Sequence, residues 1–226
     1  ACSTALGLVS LLLTMALNES LPGARRMRPS DFNLFKGKVL DWTIWPSSLA
    51  MLAPAFAFGT FLTITPDFVA DLGYIYKGAF NAIAVVASIA MRFVAGKASD
   101  RHGRVPLMVL GAWLLALGMG LLAFAETKFT AGLAGLVYGM SVGINMPTVF
   151  AWTADMARPG RIALALGTML MALELGIGLG AFISGAIYQG VLARIPLLYG
   201  LAAGIAGLSG AVLTVHSVRV RWGRPR

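Results

Sequence analysis

Long apolar runs dominate this sequence, and they restrict its fold more than any other feature. Six of them cover residues 47–66, 78–95, 105–125, 129–151, 163–188 and 196–215. A helix needs roughly 20 apolar residues to cross the hydrocarbon core of a bilayer. The breaks between the runs carry charges, Pro or Gly, as turns do, and no run alternates with the period of two that is typical of a membrane β-barrel. The sequence therefore predicts an all-α integral membrane protein with a six-helix bundle at residues 47–215.

The composition excludes the main alternatives to a membrane protein. Only 12% of the residues are charged, against about 25% in a soluble domain, and the mean hydropathy is +0.80. A net charge of +9 would suggest nucleic acid in a soluble protein. Here the basic loops of a membrane protein explain the charge, so no nucleic-acid partner is predicted. A single cysteine excludes an intrachain disulfide and a cysteine-based zinc cluster, and neither a cofactor nor a metal is predicted.

Lysine and arginine fall almost entirely in alternate breaks between the runs. Of the 18 Lys and Arg residues, all but Lys77, Lys128 and Arg194 fall on one side of the segmentation, in alternate breaks, near the end of a run at Arg92, or in the tail. Cytoplasmic loops are enriched in these residues, so that side is predicted to be the cytoplasm. We expect a multi-pass protein of the plasma membrane whose basic tail, residues 216–226, is cytoplasmic.

The part of the chain before residue 47 is predicted to contain two further segments. Residues 1–17 are apolar but short, as expected of a transmembrane helix truncated at its start. Residues 18–46 are predicted to be a cytoplasmic connector, with a basic cluster at Arg25–Arg28 followed by aromatic residues. The aromatic part fits an amphipathic piece at the headgroup level, where membrane lipids would bind it. A plain linker fits equally well.

The break between the second and third of the six runs contains a regularly spaced motif. Gly96 and Gly103 permit a tight reversal between adjacent helices, and Asp100 can accept hydrogen bonds from a helix end or an arginine. Arg101 and Arg104 can make planar, bidentate contacts. The tendency of basic residues to lie in cytoplasmic loops explains the arginines, but it does not explain the spacing.

This stretch resembles the Gly-x-x-x-Asp-Arg-x-Gly-Arg loop motif of the major facilitator superfamily, in particular its bacterial drug- and sugar-efflux members. Ala98 departs from the larger aliphatic residue that the family usually has there. The resemblance implies that the loop is the second copy of the motif, and that the chain covers the family's sixth to twelfth spans. It further implies a missing N-terminal half of six helices as a partner of this bundle.

A second stretch, Asp155 to Gly167, resembles the pattern with which the family enters its eleventh span, although the order Gly160-Arg161 is reversed. An arginine in the first turn of a helix opposes the macrodipole, so Arg161 is expected to have an acidic partner. Asp155 is one candidate, and the missing half could supply another. The resemblance implies a conformational latch on the cytoplasmic side, formed by Gly96, Asp100, Arg101, Gly103, Arg104, Asp155 and Arg161.

Three polar residues inside the runs are candidates for binding a proton or a substrate. Glu174 lies about eleven residues into its run, near the bilayer midplane, where an ionisable group is a functional-site hypothesis by default. A protonated glutamic acid that only bridges helices is the alternative. Asn145 and Tyr138 are the other two candidates, and helix bridging is the alternative for them as well.

Small residues recur every four positions on two of the runs. Gly139 and Gly143, and Gly176 and Gly180, are predicted to let helices approach closely. Gly139 to Gly143 also matches the Gly-x-Ser-x-Gly pattern of a serine nucleophile. A histidine base would have to reach that serine, and the two histidines, His102 and His216, lie at the predicted cytoplasmic ends. The chain is therefore predicted not to be an enzyme.

The resemblance to the major facilitator superfamily, taken with these observations, implies a secondary active transporter that works by alternating access, as a proton-coupled exporter of small organic molecules. Its expected partners are a small-molecule substrate, protons and membrane lipids. Two alternatives stay open at this point. One is a solute importer or uniporter on the same scaffold, and the other is a non-transport membrane subunit or a channel.

Overall fold

The structure, a computed structural model, describes residues 7, 10, 11, 13–15 and 40–222, with side chains as far as residue 218. The chain divides into two compact units, residues 1–39 and 40–226. In the first unit, the six described residues are helical. The rest of the predicted span at 1–17 and the predicted connector up to residue 39 lie outside the described residues.

The second unit is a bundle of long helices. In chain order they are α1 (Trp45–Asp71), α2 (Lys77–His102), α3 (Arg104–Ala123), α4 (Lys128–Met156), α5 (Ile162–Tyr188) and α6 (Ile195–Trp222). Short 3-10 turns, Trp42–Ile44 and Leu192–Arg194, precede α1 and α6. All six helices are long and apolar enough to cross a membrane. The predicted all-α fold class is confirmed.

Most of the helices extend beyond the apolar runs that predict them. α1 begins at Trp45, inside the predicted connector, because Pro46 suits the first turn of a helix. α2 continues to His102, and α6 continues to Trp222, into the predicted tail. The apolar runs mark only the part that matches the hydrocarbon thickness, whereas a helix can continue into the headgroup region and satisfy its own backbone hydrogen bonds.

The helices pair in a pattern with internal symmetry. The most extensive contacts join α1 with α5, α2 with α4, α3 with α4, and α3 with α6. If the bundle is divided into α1–α3 and α4–α6, the pair α1–α5 corresponds to the pair α4–α2, and α3–α6 corresponds to itself. This is the pairing expected of two repeats of three helices.

Glycines set the closest of these contacts. A Cβ added at Gly180 would overlap the Phe56 carbonyl of α1, and one added at Gly139 would overlap the Ala84 carbonyl of α2. An added Cβ at Gly143 or Gly176 would likewise overlap atoms of α2 or α1. The structure therefore places all four predicted packing glycines at helix–helix contacts.

Candidate functional site

The reversal between α2 and α3 is a single residue. α2 ends at His102, Gly103 has φ +90°, and α3 begins at Arg104. A residue with a side chain rarely adopts this φ, so glycine is required here. The sharp reversal places the last turn of α2 beside the first turn of α3.

Arg104 is the centre of a charged cluster at this end of the bundle. Its Nη1 donates to Asp100 Oδ1 at 2.6 Å and to Ser99 Oγ at 2.9 Å, both on α2. Its Nε donates to Asp155 Oδ2 at 2.9 Å, in the last turn of α4. One guanidinium thus joins the ends of three helices, and we call Asp100, Arg104 and Asp155 the Arg104 cluster.

The Arg104 cluster lies near the surface, where the formation or loss of an ion pair changes the free energy of folding only slightly. The Arg104 side chain is 24% exposed, and those of Asp100 and Asp155 are 68% and 54% exposed. Solvent-exposed ion pairs contribute about 0.2–1 kcal/mol each to stability. The cluster can therefore position the helix ends without being needed to hold the bundle together.

Three of the predicted latch residues, Gly96, Arg101 and Arg161, lie outside these contacts. Gly96 is within α2, exposed, and has no atom within 4 Å of an added Cβ. The prediction that it takes part in the reversal is wrong, because α2 continues for six more residues and Gly103 alone makes the turn. Arg101 is also exposed, and the ion pairs found in residues 40–218 do not include it.

Asp155, one of the two candidate partners of Arg161, does not pair with it. Asp155 pairs with Arg104, which the reversal at Gly103 brings close to the end of α4. Arg161 is exposed at the start of α5, and the ion pairs found in residues 40–218 do not include it, although its charge influences Asp41. Hydrogen bonds from Thr43 hold the pKa of Asp41 below its usual value, and the charges of Arg158 and Arg161 lower it further.

Asn145 and Tyr138 lie inside the bundle. Asn145 Nδ2 donates to Ser141 Oγ at 3.0 Å, and Ser141 Oγ donates to the Gly111 carbonyl of α3 at 2.9 Å. This buried network joins α4 to α3, as the helix-bridging interpretation predicts. Tyr138 is 3% exposed and its ring stacks on Phe61 with the centroids 4.3 Å apart. Both positions are suited to packing.

Glu174 is exposed on the side of α5 that faces away from α1. Gly178, one turn later, has no atom within 4 Å of an added Cβ, and Phe182 is 75% exposed. No helix of the described bundle therefore packs closely on this face, and Glu174 does not bridge helices within it.

Comparison with known proteins identifies the fold family. The family model described as Major Facilitator Superfamily matches residues 1–181 and also residues 47–225. Multidrug resistance protein 1 of Bacillus subtilis is 26% identical over 163 residues, which are 71% of this chain and 41% of that protein. The efflux pump PmrA of Streptococcus pneumoniae is 27% identical over 147 residues, or 58% of this chain and 37% of the pump.

A triacylglyceride transporter of Mycolicibacterium smegmatis is 28% identical over 138 residues, covering 59% of this chain and 25% of that protein. The chain thus matches between a quarter and about two fifths of the length of these relatives. Each match to the family model covers more than three quarters of the chain. With its six membrane-length helices, the chain belongs to the Major Facilitator Superfamily.

Proposed function

We propose that this protein works as a secondary active transporter that exports small organic molecules by alternating access, driven by protons. Transporters of this kind rock two helix bundles against each other around a central site. Relatives named as multidrug resistance proteins and efflux pumps support the direction and the type of substrate. Two-bundle transport also requires a second bundle, which would be the N-terminal half.

The Arg104 cluster is the observation that carries this proposal. Its hydrogen bonds connect the α2–α3 reversal with the end of α4. This end of the bundle is the one that the distribution of Lys and Arg predicts to be cytoplasmic. In our proposal the cluster is formed in the outward-open state and rearranges in the inward-open state, and Arg101 and Arg161 contact the other half.

The uncovered faces of α2 and α5 support a partner bundle. Only 22% of the residues in the most apolar stretch of α2 are buried within the structure, and only 17% in that of α5. Each helix packs extensively on just one neighbour, α4 or α1. The exposed face of α5 carries Glu174, so the proposed second half would meet this carboxyl near the midplane.

We propose Glu174 as the proton-coupling residue, and Glu174→Gln tests it. Glutamine keeps the shape and the hydrogen bonding but cannot carry a proton. In proteoliposomes of the complete protein, we expect the variant to lose ethidium transport driven by a pH gradient and to retain ethidium counterflow. Glu126→Gln, a change at an exposed acid between α3 and α4, should leave both assays unchanged.

The same two assays distinguish the alternatives. Full gradient-driven transport by the Gln variant would leave Glu174 without a coupling role. Counterflow in the wild type that does not respond to a pH gradient would favour a uniporter. A channel would allow flux but show no counterflow.

A further inference from the structure

A small cavity at the start of α1 contains two polar atoms that lack partners among the described residues. Asp41, the residue that precedes the Trp42–Ile44 turn, is 6% exposed, and its Oδ2 accepts no hydrogen bond. Ser48 Oγ, which lines the same cavity, is also buried without a partner. Since buried polar groups are nearly always hydrogen-bonded, we expect a polar group to bind at these two atoms.

The position of Asp41 is fixed by its other hydrogen bonds. Its backbone N–H donates to Thr168 Oγ1 of α5 at 3.0 Å, and its Oδ1 accepts from the Thr43 N–H at 3.0 Å. The Thr43 bonds lower the pKa of Asp41, so the carboxyl is ionised at neutral pH. A fixed carboxylate oxygen needs no reordering to bind a donor, and this preorganisation favours affinity.

The rest of the cavity is suited to an organic cation. It has a volume of about 270 Å³ and is lined by Trp42 and Trp45 beside apolar residues of α1 and α5. Indole faces attract cations, and a carboxylate beside two indoles is the chemistry that recognises an ammonium group.

An apolar cavity of about 510 Å³ lies next to this site. The two cavities share Trp45, Leu49 and Leu52, and the larger one extends to Leu208 and Val212 of α6. A ligand whose charge lies at Asp41 therefore has room for a hydrocarbon body beside it.

The described residues around Asp41 offer few ligands to a divalent metal ion, and their charges favour a ligand with a single positive charge. Divalent metals need several oxygen ligands, and no group of three or more His, Cys, Asp or Glu residues is found in the described part of the chain. The exposed Arg158 and Arg161 lie near enough to influence Asp41. Their charges disfavour polyvalent cations at this site.

We propose that this cavity binds the ammonium group of a monovalent amphipathic amine. The N–H groups would donate to Asp41 Oδ2 and Ser48 Oγ, the charge would lie against the indoles, and the hydrocarbon would occupy the larger cavity. The amine can be an aminolipid headgroup or a free solute, since both present the same group. This inference concerns equilibrium binding and does not depend on the proposed transport.

The test is saturable binding of tritiated dodecylamine to the complete protein in phosphatidylcholine nanodiscs, with empty nanodiscs subtracted. Asp41→Asn should weaken binding at least tenfold, because a charge-assisted hydrogen bond is lost. Asparagine is as good a helix cap as aspartate, so this variant should fold. Ser48→Ala should weaken binding about threefold, as expected for one neutral hydrogen bond. Asp71→Asn, at the other end of α1, is the matched control and should bind as the wild type does.

Three results would overturn the proposal: unchanged binding in Asp41→Asn, equal losses in Asp41→Asn and Asp71→Asn, or equally effective competition by uncharged dodecanol. A second series of binding measurements distinguishes an aminolipid from a free amine as the natural ligand. If an aminolipid occupies the site, adding phosphatidylethanolamine to the nanodiscs raises the apparent Kd of dodecylamine. If a free amine is the ligand, the Kd is unchanged.

Discussion

Replacing Arg104 by alanine should lower ethidium transport by the complete protein at least tenfold and leave its expression and insertion intact. The substitution removes every contact of the Arg104 cluster at once, because the guanidinium bonds Asp100, Ser99 and Asp155. These groups are partly or largely exposed, so the free energy of unfolding should fall by only about 1 kcal/mol. Transport rates in proteoliposomes and thermal unfolding in detergent measure the two effects separately.

Two control variants sharpen this prediction. Arg104→Lys keeps the charge but cannot bond α2 and α4 with one planar group, so it should recover only a small part of the transport. Lys97→Ala removes an exposed charge from the same end of α2 and should have no effect. Wild-type transport by Arg104→Ala, or an equal loss in Lys97→Ala, would remove the cluster from the mechanism.

Gly180→Ala should destabilise the bundle by about 2 kcal/mol, within the range observed for overpacked interiors. The added methyl group would meet the Phe56 backbone, which cannot move aside as a flexible side chain would. The contact between α1 and α5 would therefore have to widen along its length. Thermal unfolding of the purified protein, followed by tryptophan fluorescence, measures the change.

Gly178→Ala is the matched control for this substitution. Gly178 lies two residues earlier on the same helix, and an added Cβ there has nothing within 4 Å. Alanine also has the higher helix propensity, so the variant should be as stable as the wild type or slightly more stable. Equal destabilisation by both alanines would mean that α1 and α5 are not in close contact at Gly180.

The sequence alone was sufficient for the six helices described in residues 40–222 and their order, because the length of an apolar run is set directly by bilayer thickness. The reversal at Gly103 and the nearness of Asp100 to Arg104 are local in sequence and could also be predicted. The partner of Asp155 could not, since it depends on which helix ends meet. The sequence offered Asp155 as one candidate partner of Arg161, whereas the sharp turn at Gly103 brings Arg104 to Asp155.

Asp41 was missed for a different reason. It lies in a stretch whose charges and prolines are typical of a connector, and its contact with Thr168 spans 127 residues. A signal was present, since Asp41 followed closely by Thr43 and Pro46 is a common start for a helix.

Membership of a transporter family confirms the prediction that the chain is not an enzyme.

Alternating access is the central claim, and the side from which position 174 can be reached tests it most directly. A complete protein with Glu174→Cys as its sole cysteine is labelled with a membrane-impermeant maleimide from each side of the membrane. We expect labelling from one side to dominate, and Arg104→Ala to increase the rate from the cytoplasm while decreasing it from outside. Equal labelling from both sides at once, unchanged by Arg104→Ala, would contradict alternating access and indicate a continuous pore.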